Sequence, residues 1–238
     1  SDLEELEALI RRLLKINEDL IRIIEDLIRK SLTLLKRIVD LIRELIREIE
    51  EIIRRTGIPK ELVDEAREKI KRILDEVERL LRELAKAHRE ILEELRANLE
   101  RVRRELKKIL DRLRDLKRGS GSEEEIRKLI EELLKVHKES LDSIRRLIEK
   151  LLRVHETALR RLAELIRRLL EVLKEVLDKG PVSEEIRKRV RDLEEKVKKL
   201  LRDLEEESRR VAEKVEEDLK RVEEESRRTA REVEEKER

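Results

Sequence analysis

Nine polar residues fall on helical stripes that are otherwise Leu, Ile or Val: Asn17, Ser31, His88, Asn98, His137, Ser140, His155, Ser208 and Ser226. An imidazole in such a place could act as a general base or a metal ligand, and a serine beside it could act as a nucleophile. The spacing argues against both. His137 and His155 are 18 residues apart on one helical run, roughly 27 Å along the axis, too far to share a metal. His88 and His155 can meet across two helices, but a zinc site needs three or four ligands and no further His or Cys accompanies them. No strained nucleophile elbow, oxyanion loop or glycine-rich pocket accompanies the Ser and His residues. The expectation is therefore no catalytic residue, no metal, no cofactor and no small-molecule ligand. The nine side chains are expected to satisfy one another as a buried hydrogen-bond network. Buried neutral histidines would also make the assembly sensitive to acid, since protonation turns both ring nitrogens into donors.

The elements that position these residues are legible in the composition. Of 238 residues 52% are charged and 38% hydrophobic, with only four Gly and two Pro, a balance typical of long helices with very few turns. The formal charge is +2 and the two signs alternate along the exposed positions, so neither a nucleic acid nor an anionic membrane is an expected partner. A charge interrupts every apolar run before it reaches the ~20 residues of a membrane span. The start, Ser1-Asp2-Leu3-Glu4, reads as a helix cap and not as a signal peptide. With no cysteine, the fold is indifferent to redox compartment. A soluble protein compatible with recombinant cytoplasmic expression is expected, with no natural compartment indicated.

Turn signals divide the chain into four helices of about 55 residues, at about 2–55, 59–117, 123–179 and 184–237. Ser1 with Glu4 and Ser122 with Glu125 are capping boxes, and Ser183 caps the last helix ahead of Glu184 and Glu185. Gly57 supplies a left-handed stop with Pro59 opening the next helix, and Gly180-Pro181 ends the third. Gly119-Ser120-Gly121-Ser122 has the composition of a flexible linker. It joins a helical hairpin at 1–118 to a second at 123–238, and together they form one bundle. Three short connections force antiparallel neighbours, giving an all-α, up-down-up-down four-helix bundle about 80 Å long. Apolar positions recur after 18 residues, as in Leu133, Leu151 and Leu169, which is five turns of a straight helix. A heptad also fits much of the first helix, so straight or weakly left-handed packing is expected. The first and third helices have wide apolar faces, the second an intermediate one and the fourth a narrow stripe. A diamond cross-section with the first and third helices on the short diagonal accounts for this. A partner helix or a second copy covering the surplus face is the alternative.

In an antiparallel hairpin the residue numbers of facing positions have a constant total. His155 with Ser208 and His137 with Ser226 both total 363, centred on the Pro181 loop, and Asn17 with Asn98 total 115, centred on Gly57. Ser31 with His88 total 119, about one turn away. Two polar layers follow. One holds Asn17, Asn98, His137 and Ser226 with Ser140 nearby, and the other holds Ser31, His88, His155 and Ser208, with Thr33 or Thr157 as accessories. Thr229 is also placed on the inner face. Each group left unpaired costs on the order of 1–3 kcal/mol, so the layers favour one register over others.

Idealised helices, capping serines, Gly-Pro loops and paired polar layers resemble de novo designed helical bundles with buried hydrogen-bond networks, in particular designed heterodimers of two hairpins, here fused through residues 119–122. The joint absence of Phe, Tyr, Trp, Met and Cys points the same way. The resemblance implies no natural biochemical function: a non-enzymatic structural scaffold whose pairing is encoded by the polar layers, the two hairpins being each other's partners. The alternative it implies is an interaction or switch module that recruits a helix or hairpin, self-associates, or responds to pH.

Overall fold

The structure, a computed structural model, describes residues 2–119 and 121–237. Ser1 of the first capping box and Ser120 of the linker lie outside the described residues. Four α-helices account for nearly all of the rest: α1 Asp2–Arg55, α2 Lys60–Arg118, α3 Glu123–Lys179 and α4 Glu184–Glu237. The caps explain where they start. Ser122 Oγ accepts from the Glu125 N–H at 3.2 Å and Ser183 Oγ from the Ile186 N–H at 3.4 Å, each relieving one of the donors that a helix start leaves unpaired. Acidic residues follow in both first turns, where the helix dipole favours them.

The helix ends differ from the expectation. No glycine among the described residues has a positive φ, so Gly57 is not a left-handed stop. Thr56 ends α1 instead. Its hydroxyl donates to the Ile52 carbonyl at 2.6 Å, and its own carbonyl accepts from the Ile58 N–H at 2.8 Å across a three-residue turn. Pro59 then disfavours a helical Ile58. Pro59 itself stands just ahead of α2, its carbonyl accepting from the Leu62 and Val63 amides. The α3–α4 loop repeats the device, with the Val182 N–H donating to the Gly180 carbonyl at 2.9 Å. Arg187 reaches back from α4 to the Leu177 carbonyl at 3.0 Å, satisfying another orphan acceptor of the last turn. Gly180 is needed for close approach, since a Cβ there would stand 2.8 Å from the Val176 carbonyl oxygen and 2.9 Å from Ile58 Cγ1.

Each helix contributes one segment to each of two compact units. The first comprises residues 1–28, 88–152 and 212–238, the second residues 29–87 and 153–211. Each unit is an all-α bundle of four segments. In the first, Leu6, Ile10, Leu13, Val102, Leu106, Leu133 and Val233 form an apolar cluster. In the second, a larger cluster gathers around Ile38, Ile42, Ile49, Ile73, Leu162, Ile166, Leu169 and Val197. Each such side chain contributes roughly 1.5–3 kcal/mol on burial.

Burial is unevenly shared among the helices. Among the described residues α1 and α3 supply 19 and 18 buried hydrophobic residues, α2 supplies 12 and α4 supplies 7. Ion pairs join neighbouring helices within each unit. In the first unit Arg12–Glu232 joins α1 to α4, Arg114–Glu7 joins α1 to α2, and Arg145–Glu223 joins α3 to α4. In the second unit Arg37–Glu207, Arg67–Glu50, Arg168–Glu76 and Lys174–Glu194 join the four adjacent pairs in turn. Buried polar bonds instead join α1 directly to α3. Within each unit these links are those of a diamond in which α1 and α3 share the short diagonal. Leu32 on α1 and Leu74 on α2 are the large hydrophobics that stand exposed among the described residues.

Candidate functional site

In the first unit the polar residues interrupt the core abruptly. The apolar cluster reaches Ile16, Val102 and Leu133, and the next inward positions are Asn17, Asn98, His137, Ser140 and Ser226, all buried. Beyond them the interior is apolar again at Leu20, Ile24, Leu95, Ile144 and Ile148. Ser140 on α3 is the junction. Its hydroxyl donates to Asn17 Oδ1 on α1 at 2.6 Å and accepts from Asn98 Nδ2 on α2 at 3.0 Å. Asn17 Nδ2 donates to the Leu13 carbonyl at 3.0 Å, and Asn98 Oδ1 accepts from Arg101 at 3.1 Å. Every side-chain heteroatom of the three residues thus has a partner, which removes the penalty for burying them.

One helical turn away on α3, His137 pairs with α4 through Nε2 and Ser226 Oγ at 2.7 Å. Its Nδ1 is buried without a partner. Burial pushes this imidazole down to about 4, because the cation would lose its hydration. The ring is therefore neutral near pH 7. Thr229, one turn further along α4, is buried and closes its hydroxyl on the Glu225 carbonyl at 2.9 Å.

The second unit holds a three-residue relay. His155 on α3 sits between two serines, with Nδ1 2.5 Å from Ser31 Oγ on α1 and Nε2 3.0 Å from Ser208 Oγ on α4. In its neutral form an imidazole donates from one nitrogen and accepts at the other, so in that form one serine donates to the ring and the other accepts from it. A family model described as a domain of unknown function (DUF4455) matches residues 4–235. The chain belongs to that family. No curated protein and no solved structure matches it.

The arrangement in this DUF4455 chain differs from the expected layers in four respects. The first layer is two separate hydrogen-bonded sets, Asn17–Ser140–Asn98 and His137–Ser226, rather than a single one. His88 is buried and falls in the first unit, whereas Ser31, His155 and Ser208 of the second bond one another. Its Nε2 has no partner, and burial lowers its basicity as it does for His137. Thr33 is exposed and bonds the Arg29 carbonyl of its own helix, and Thr157 is exposed as well, so neither is an accessory to the second layer. Arg101 is a member that the stripe pattern does not reveal. Its position three residues after Asn98 is the available signal, since such neighbours share a helix face.

Among the described residues of this DUF4455 chain no group of three or more His, Cys, Asp or Glu is placed to hold a metal ion. Nor is any described helix long and apolar enough to cross a membrane.

Proposed function

We propose that the chain is a non-enzymatic structural scaffold, of the designed type that its sequence resembles, in which buried polar layers fix how its helices pair. The observation that carries this reading is the Asn98–Ser140–Asn17 junction, where one hydroxyl satisfies residues from two other helices. A shift of any of these helices by one residue strands buried polar atoms, at on the order of 1–3 kcal/mol each. An apolar interior would carry no such penalty. The same geometry speaks against catalysis. Ser31, Ser208 and Ser226 lie beside imidazoles inside continuous helices, where interior backbone N–H groups are already bonded to carbonyls one turn back. None is left to stabilise an oxyanion. The match to a family of unknown function adds no site to this reading.

The test replaces Asn17, Asn98, Ser140, Ser31, His155 and Ser208 together by Leu. Such a variant is expected to gain thermal stability, because apolar packing replaces desolvated polar groups, and to populate more than one packed form. A single form, with the native mass and the native pattern of amide protection, would sink the proposal.

A second reading, in which α4 is a displaceable arm that a competing helix could replace, is favoured by its 7 buried hydrophobic residues against 18 on α3. It predicts that α4 amides exchange with solvent faster than those of α3. Equal protection of the two helices would remove its basis.

A further inference from the structure

Beside the α3–α4 seam of the first unit lies a groove of about 470 Å³, within the size range of small-molecule sites. Leu134 and Leu141 on α3 and Ala230 on α4 give it an aliphatic lining. Ala230 contributes a single methyl at a half-buried position of the lining, where a leucine would add bulk. His137 and Ser226 also line it. His137 is 3% exposed, bonded at Nε2 and unpartnered at Nδ1. A buried nitrogen with no partner is costly; here it lies beneath the lining, in a ring that borders open volume, and a ligand reaches it as the rim side chains move.

We propose that this groove binds a small neutral aromatic alcohol, a phenol or naphthol, with its ring on the aliphatic lining and its hydroxyl bonded to His137. The hydroxyl follows from the imidazole. If Nε2 donates to Ser226, Nδ1 presents a lone pair and needs a donor. If Ser226 donates to Nε2, Nδ1 carries the proton and needs an acceptor. A hydroxyl supplies either, whereas a carboxylate serves only the second case and an ammonium only the first.

Neutrality follows from the rim. Lys138, Arg145 and Arg227 are balanced by Asp142, Glu223 and Glu234, and Arg145 is already paired with Glu223. A charged ligand therefore meets no net complementary field. Lys138 and Arg227 are exposed, so their long side chains can swing aside to admit the ring. Flat apolar shape follows from the lining, which offers aliphatic surface beside the one His137–Ser226 pair. This inference goes beyond the scaffold reading, because the layers can specify pairing whether or not the groove is filled.

The probe is 2-naphthol, whose fluorescence is read without protein background because the chain has no Phe, Tyr or Trp. Titration into the full chain is expected to saturate at one site. Ala230→Leu should weaken binding at least about tenfold by filling the groove, and His137→Leu should weaken it roughly tenfold by removing the hydroxyl's partner. Ala212→Leu, at a half-buried α4 position outside the groove, should bind as the native chain does. Helical circular dichroism shows that each variant is folded, and naphthalene, which lacks the hydroxyl, is expected to bind more weakly than 2-naphthol. The proposal is overturned by any of three results: no saturable binding to the native chain, equal affinity for Ala230→Leu, or naphthalene binding as tightly as 2-naphthol.

Discussion

Ser140 shows how much of the polar interior depends on one small side chain. Removing its hydroxyl leaves Asn17 Oδ1 and Asn98 Nδ2 without the partner each now has, and both asparagines are at least nine-tenths buried. Ser140→Ala is therefore expected to lower unfolding stability by about 2–4 kcal/mol, as two stranded groups would. Ser143→Ala, which removes only a surface bond to Arg146, should stay within about 0.5 kcal/mol. Denaturant midpoints of the two variants check the contrast. His137 carries a pH dependence of defined sign. Its folded value of about 4 lies below the ordinary 6.5, so between these limits the unfolded chain takes up a proton that the folded chain refuses. The stability linked to this residue is complete above about pH 6.5 and falls as pH drops, by about 3 kcal/mol at pH 4. His88, lowered in the same direction, adds to the loss. Carboxylates also titrate near pH 4, so the informative quantity is the difference from His137→Leu, whose denaturant midpoint should fall less between pH 7 and 4. Parallel falls would show that the imidazole is not held neutral by burial.

At the scale of the helices, the elements are legible in the sequence because Pro, Gly and capping Ser occupy defined positions around them. Ser122 and Ser183 cap through their hydroxyls, and the helix bounds lie within about a residue of the turn signals. The α3–α4 pairs are legible too, since a short loop fixes the total of facing residue numbers, and His137–Ser226 and His155–Ser208 both bond. The links between α1 and α3 are legible only as shared layers, which group Asn17 with Ser140 and Ser31 with His155, and not as residue-to-residue bonds. These helices run parallel with α2 between them in the chain, so no loop fixes their register, and their 123- and 124-residue offsets are visible only in Asn17–Ser140 and Ser31–His155. His88 escapes the pairing rule for a related reason: its total with Ser31 is about one turn away from that of Asn17 with Asn98. Glycine chemistry separates the two tight loops. Gly57 has no positive φ, and a Cβ at that position would meet nothing within 4 Å, so Gly57→Ala should stabilise by about 0.4–1 kcal/mol through loss of unfolded-state entropy. Gly180→Ala should destabilise by about 1–3 kcal/mol, because its methyl meets Val176 and Ile58. Thermal midpoints moving in opposite directions would bear out both assignments, and a shift of the same sign would refute one.

For the molecule as a whole, the two compact units divide the helices part-way along, at 28/29, 87/88, 152/153 and 211/212, where neither composition nor turn residues change. Nothing in the sequence marks those points. What the sequence does mark is the linker at 119–122, and the structure supplies reasons why the hairpins on either side of it hold together without a covalent join. In the first unit Asn17 and Asn98 of one hairpin bond Ser140 of the other, and Arg12 pairs with Glu232. In the second, Ser31 bonds His155, and Arg37 and Arg168 pair with Glu207 and Glu76. The exposed ion pairs add little to affinity, about 0–1 kcal/mol each. Apolar burial contributes more, since α1 and α3 lie in different hairpins and carry 37 of the 56 buried hydrophobic residues among those described. A protease site inserted at 119–122 and then cut should therefore leave two fragments that elute together at the 28.8 kDa of the uncut chain and separate only on strong dilution. If Ser31→Ala and Ser140→Ala are introduced before cutting, the fragments should separate at higher concentration, because the buried polar bonds crossing between hairpins are lost while the ion pairs and the apolar interface remain. Fragments that part at micromolar concentration in the native background, or that each pair with their own copies, would show that the bonds seen across the two hairpins do not decide which partner is chosen.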